Sequence, residues 1–134
     1  MSRENVETIQ RIFGAFGRGD IDTIIDNVSD DTSWGFNVNG SDVPWHAPVC
    51  GKTNLPRFFE ALLGNVDFKA FEPREFIDSG DNVIAHVHME YVVKKSGKPV
   101  NEDMLMWWRV GPDGKVTRLT HFEDTGLVER AYRA

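Results

Sequence analysis

Helical periodicity in this chain stops near residue 64, and from residue 66 to residue 123 the sequence offers only strands separated by turns. That division constrains the fold more than any single motif. A helical half followed by an antiparallel half implies an α+β domain, with the helices gathered on one face of one sheet. The strands are read at 66–78, 83–93, 101–110 and 115–123. The turns between them fall at Ser79-Gly80-Asp81-Asn82, around Gly97, and at Gly111-Pro112-Asp113-Gly114, the last a strong turn signal. In the first half, Val6, Ile9, Ile12, Phe13 and Phe16 recur at helical spacing over 4–17. Asp20 is placed to cap a second helix over 21–28. A turn at Ser29-Asp30-Asp31 leads to a strand over 32–38. A third helix, capped by Thr53 or Asn54, carries Phe58, Phe59, Leu62 and Leu63 and ends at Gly64. The segment from Asn39 to Gly51 is a polar loop of about a dozen residues, a length that draws attention to function, and it contains Trp45 and His46.

With 134 residues the chain fits one domain, 1–134, large enough to fold without disulfides or metals. Its one cysteine, Cys50, cannot form an internal bridge and suits a reducing compartment. The N-terminal residues are charged and lack the apolar core of a secretory signal, and no apolar run approaches membrane-spanning length. A cytoplasmic protein is the expectation. The net charge of −6 argues against nucleic acid as a partner, since that role calls for a basic stripe.

The order of elements resembles the NTF2-like superfamily, and more closely its ketosteroid-isomerase-like and SnoaL-like members. The residues that carry the likeness are Phe16 to Ser33 (FGRGDIDTIIDNVSDDTS), Gly51 followed by the Phe-Phe helix, Asp113-Gly114-Lys115-Val116, and His121-Phe122-Glu123-Asp124-Thr125. The resemblance implies a cone: a strongly curved, mostly antiparallel sheet with three N-terminal helices packed on its concave face. It also implies an interior pocket for a small apolar molecule, and often a homodimer built through the outer face of the sheet.

Period-two alternation assigns the faces of the strands. On 83–93 the apolar set Val83, Ala85, Val87, Met89 and Tyr91 should face inward, leaving His86 and His88 outward. By the family register, Glu102, Met104, Met106 and Trp108 point in, while Asp103, Leu105, Trp107 and Arg109 point out. A segment apolar on both sides, as at 104–108, needs cover on both sides. This suits a homodimer through Leu105 and Trp107, with His86 and His88 alongside. Leu119, His121 and Glu123 share the inward face of the last strand. Trp34, Phe36, Val87, Met89, Met104, Met106, Trp108 and Leu119 are therefore the expected ligand contacts, with His46 as a group that could close the mouth. Glu102 is expected near the rim, in a solvated role.

The family's known polar sets are missing. A ketosteroid isomerase uses a carboxylate base and an oxyanion hole of a tyrosine and a protonated aspartic acid. The resemblance puts those positions at Phe36, Ile12 and Met106. The aspartate–arginine–aspartate set of the fold's epoxide hydrolases falls on Met89, Val87 and His121. What survives is His121, at the place where SnoaL-like cyclases carry an acid–base aspartate. A histidine there can move a proton near neutral pH. Three functions stay open: an isomerase- or cyclase-like enzyme with His121 as acid or base and no metal or organic cofactor, a carrier of a small apolar molecule, and a protein-interaction module. The competing reading of His121 is a ring tied to a backbone carbonyl or to Glu123.

Overall fold

The computed structural model describes residues 2–134. Helix α1 (Ser2–Gly17) and helix α2 (Ile21–Asp26) lead into strand β1 (Val28–Phe36). A loop with a 3-10 turn at Pro44–His46 carries the short strand β2 (Val49–Cys50), and helix α3 (Leu55–Asn65) follows. Strands β3 (Val66–Ser79), β4 (Asn82–Val93), β5 (Pro99–Val110) and β6 (Val116–Phe122) then run in succession, and helix α4 (Thr125–Arg133) ends the chain. The six strands form one mixed sheet in the order β2-β1-β6-β5-β4-β3, in which only β1 and β6 run parallel. No helix among the described residues is long and apolar enough to cross a membrane.

The α+β cone expected from the sequence is the fold observed. It has one more helix than the three at the N-terminal side: after Asp124 the chain forms nine residues of helix. Asp124 caps it, its side chain accepting from the N–H of Leu127 at 3.1 Å. The second helix is shorter than read, and the first strand starts four residues early. Asp20 caps α2 as expected, accepting from the N–H of Thr23 at 3.1 Å. The chain then leaves the helix at Asn27, whose carbonyl accepts from the N–H of Val116 at 2.9 Å. That bond starts the parallel pairing of β1 with β6. The polar Ser29-Asp30-Asp31 lies in the strand, where the β1–β6 register shifts between Val28 and Ser33. Pro73 falls on β3, a strand at the edge of the sheet, where a missing N–H breaks no ladder.

On β4 and β5 every second side chain is buried, from Val83 to Val93 and from Val100 to Val110. The buried set is the one that alternation assigns to the inner face. Helix α1 lies over it: Phe13 packs edge-on against Phe71 and Trp108, and Phe16 packs on Phe68 and Phe71. Phe58 and Phe59 of α3 meet Trp34 of β1. The helices thus close the concave face over an aromatic interior.

Candidate functional site

Inside the cone is one cavity with about 60 Å³ of free space, room for a few water molecules. The eight positions expected on its wall from strand alternation and the family register divide as follows. Trp34, Phe36, Met89, Met104, Met106, Trp108 and Leu119 line it, while Val87 is fully buried and does not. Among the positions outside that set, the helices supply Ile12, Phe13, Phe16, Phe58 and Phe59, and the strands Phe68, Phe71, Tyr91 and Glu123. Helical contributors escape a reading by strand alternation, because which face of a helix meets a sheet depends on how the helix crosses it.

His121 lines the cavity and is 4% exposed. Its Nδ1 lies 2.9 Å from the carbonyl of Gly35 on the neighbouring parallel strand. A carbonyl only accepts, so Nδ1 carries the hydrogen and Nε2 carries the lone pair of the neutral ring. Phe36 stacks on the imidazole at 4.1 Å and an 11° interplanar angle. Burial pushes the His121 pKa down to about 4, the Gly35 carbonyl opposes this, and nearby His46 adds to the depression. The ring is therefore neutral throughout the physiological range. Of the two structural partners foreseen for His121, the backbone carbonyl is present, and Glu123 is engaged elsewhere.

Glu123 belongs to His46. Their side chains are 2.6 Å apart, Nε2 to Oε2, and each is 1% exposed. His46 Nδ1 is 2.8 Å from Ser41 Oγ, which also accepts from the N–H of Val43 at 3.1 Å. Both nitrogens of His46 are thus engaged, and His46 stands behind the wall while Glu123 faces the cavity. Asn37 fixes Glu123 in place. Its Nδ2 donates to the Glu123 carbonyl and its Oδ1 accepts from the Glu123 N–H, both at 3.2 Å. The loop bearing His46 is packed down, with Val43 and Trp45 each 2% exposed. Trp45 meets Tyr91 and Tyr132 edge-on, and Arg133 grips Asp42 at 2.8 Å.

Glu102 departs from the solvated role expected of it: it is 8% exposed. It accepts a long hydrogen bond from the N–H of Asp124 at 3.4 Å and another from the Tyr91 hydroxyl at 3.5 Å. Burial above all, then the charge of Glu123, pushes its pKa up to about 8. Burial, with Glu123 and Glu102 adding to it, raises Tyr91 as well. The cone therefore has an apolar body and one polar end, made of Glu102, Glu123, Tyr91 and His46. In the apolar body, Trp108 Nε1 is buried with no hydrogen-bond partner.

A model of the SnoaL-like domain matches residues 9–119. The chain belongs to the SnoaL-like family. No curated protein sequence matches it significantly. Solved structures similar to this SnoaL-like domain include an NTF2-like protein from Burkholderia xenovorans, 24% identical, with a TM-score of 0.88 and 98% of each chain covered. Another is an NTF2-like protein from Burkholderia pseudomallei, 20% identical, with a TM-score of 0.88 and both chains covered in full. A third is TerC, co-crystallised with polyporic acid, 23% identical, with a TM-score of 0.83, covering 98% of this chain and 99% of that one. At such identities the likeness shows the fold.

On the outer face, His88 lies 2.6 Å from Asp103 and 2.8 Å from Glu90, and His86 lies 3.1 Å from Asp103. The hydrogen bond to Glu90, then that to Asp103, raises the His88 pKa, and Asp103 is correspondingly lowered by His88 and His86. Beside them Leu105, Trp107 and Phe122 are each exposed by 40% or more. Among the described residues, no three His, Cys, Asp or Glu side chains gather as a metal site would require.

Proposed function

We propose that this SnoaL-like domain binds a small, flat, largely apolar molecule bearing a carbonyl group, and moves a proton on it with His121 as the base. The observation that carries the reading is the lone pair of His121 Nε2. It sits on the wall of an aromatic cavity, on a ring whose tautomer is set by the Gly35 carbonyl. Nε2 would take a proton from the carbon α to the carbonyl, while the unpartnered Trp108 Nε1–H hydrogen-bonds the carbonyl oxygen as charge develops there. Return of that proton to another carbon of the conjugated system gives an isomer with no net gain or loss of atoms. A base with a pKa near 4 removes only an acidic C–H, such as one flanked by two carbonyls or conjugated through an enone. The co-crystallisation of TerC with polyporic acid supports an organic ligand for a cone of this shape.

A second reading is a carrier that holds such a molecule without changing it. What favours it is the small free volume and the almost wholly apolar wall. In either case the exposed row of Leu105, Trp107 and Phe122 is covered by a second copy of the chain. The test is a thermal-shift screen with steroids, aromatic polyketides, terpenoid ketones and phenols, followed by turnover of each hit. A bound ligand at about 100 times its dissociation constant adds about 2.7 kcal/mol, a rise of several degrees. His121→Asn should keep binding and lose turnover. Full turnover by His121→Asn would refute the enzyme reading, and binding with no turnover by the native chain would establish the carrier.

A further inference from the structure

Among the described residues Glu123 is the one carboxylate on the cavity wall, and one of its oxygens is engaged. Oε2 is held by His46 at 2.6 Å, and no hydrogen bond is made at Oε1 among the described residues. A carboxylate accepts and never donates, and leaving one of its oxygens unpaired in so closed a place is costly. His121 Nε2, two residues earlier on the same face, is a second bare acceptor. Strand geometry puts their Cα atoms about 6–7 Å apart. In the other direction Leu119 pairs with Trp108, whose Nε1–H is the unpartnered donor. Read along the sheet, these residues carry in turn a buried donor, an acceptor and a second acceptor.

This order resolves which oxygen a ligand can place where. A carbonyl suits Trp108 and is repelled by the lone pairs of Glu123. A group placed at Glu123 must bring a hydrogen of its own. We propose that the ligand of this cone donates a hydroxyl hydrogen to Glu123 Oε1, so that the site selects hydroxylated flat rings or enols and rejects their ethers. His46, locked by Ser41, is the positioning residue: it holds the carboxylate so that Oε1 faces the cavity. Met89, Met104 and Met106 line the space along these positions, and their unbranched, flexible side chains can move to admit the rings. The inference rests on the cone being a ligand site, and it adds the chemical class of the ligand.

The test compares a tetralone bearing a hydroxyl para to its carbonyl with the corresponding methyl ether. Binding is measured by calorimetry on the native chain and on Glu123→Gln, and thermal unfolding checks that the variant is folded. A hydrogen bond to a charged group predicts that the native chain binds the phenol at least about tenfold more tightly than the ether. In Glu123→Gln, whose amide can donate as well as accept, that ratio should fall to about twofold or less. A merely structural link between His46 and Glu123 would change stability and leave the ratio untouched. Equal binding of phenol and ether by the native chain, or an unchanged ratio in Glu123→Gln, overturns the proposal. If Glu123→Gln does not fold, the native ratio decides alone. Should apolar ketones bind while neither tetralone does, the ligand cone stands and the role of Glu123 falls. Should nothing bind, both fall together.

Discussion

Glu102 gives the sharpest test of the polar end, because its environment converts into a pH dependence of known sign. Burial and the charge of Glu123 raise its pKa from 4.5 to about 8, so near neutrality the folded chain holds a proton that the unfolded chain has released. Stability falls with rising pH wherever the native state binds more protons than the unfolded one. The Glu102 contribution is therefore complete below pH 4.5 and is lost as pH rises toward about 8. His121 behaves in the opposite sense. Its pKa is lowered from 6.5 to about 4, so its contribution is complete above pH 6.5 and is lost as pH falls to about 4. Between 4.5 and 6.5 the two groups oppose each other, and above 6.5 Glu102 acts without His121.

One proton changes stability by about 1.4 kcal/mol per pH unit, which bounds the loss from pH 6.5 to 8 at about 2 kcal/mol. For a domain of this size that is a fall in Tm of roughly 5–10 °C. His88, on the outer face, has a raised pKa and loses stability over the same range, but it is only half-buried and its exposed partners leave it screened by salt. The difference between the native chain and Glu102→Gln removes its share. The glutamine carbonyl can still accept from the Asp124 N–H, its NH2 can donate to the Tyr91 oxygen, and it has no proton to lose. Urea unfolding of both proteins at closely spaced pH values across this window should show a native chain that weakens with pH and a flatter variant. The variant should become relatively more stable as pH approaches 8. Parallel pH profiles would show that Glu102 is ionised in the folded chain at neutral pH, and the picture of a proton retained at the polar end would be wrong.

Two further outcomes follow from other parts of the molecule. If a second copy covers the exposed row at Leu105, Trp107 and Phe122, then Trp107→Glu should turn a dimer into a monomer in sedimentation velocity, while far-ultraviolet circular dichroism stays native. A native chain that sediments as a monomer at high concentration would rule that assembly out. Asp124→Ala removes the cap of α4 and should lower stability by about 1 kcal/mol in urea unfolding. A loss below about 0.3 kcal/mol would mean that α4 is held by packing of Val128 and Ala131 alone.

The sheet was legible because its signal is local. Alternation along 83–93 and 101–110 separates Val87 and Met106 from His88 and Trp107 without any knowledge of the partner strand, and turn residues mark the ends. The neutral imidazole of His121 was legible in part, since its inward face followed from alternation, but its bond to Gly35 depends on a parallel pairing across 86 residues. At the polar end the inward faces of Glu102 and Glu123 were legible, but the pairing of Glu123 with His46 was not. His46 and Glu123 are 77 residues apart, one on a loop and the other just past a strand, and no spacing rule joins such positions. Glu102 read as a solvated rim residue because a glutamate near a strand end ordinarily reaches water. Here Tyr91 and the turn into α4 close over it.

That closure concentrates the polar groups of the cone at one end, while its body lacks the family's usual polar set. Ile12, Phe36 and Met106 leave the middle of the wall apolar, and there His121 stays neutral because a charge would have no solvent. At the end, the carboxyl group of Glu123 is paired with the imidazole of His46, and that of Glu102 lies close by with only long hydrogen bonds from Asp124 and Tyr91. The charge on Glu123 raises both Glu102 and Tyr91, so their protons are retained. A lone pair kept bare by burial and a proton kept in place by burial and a neighbouring charge are complementary halves of acid–base work. If the cone turns over a ligand, His121→Asn removes a lone pair on the wall that meets it, whereas Glu102 lies off that wall and Glu102→Gln acts only through the charge balance at the polar end.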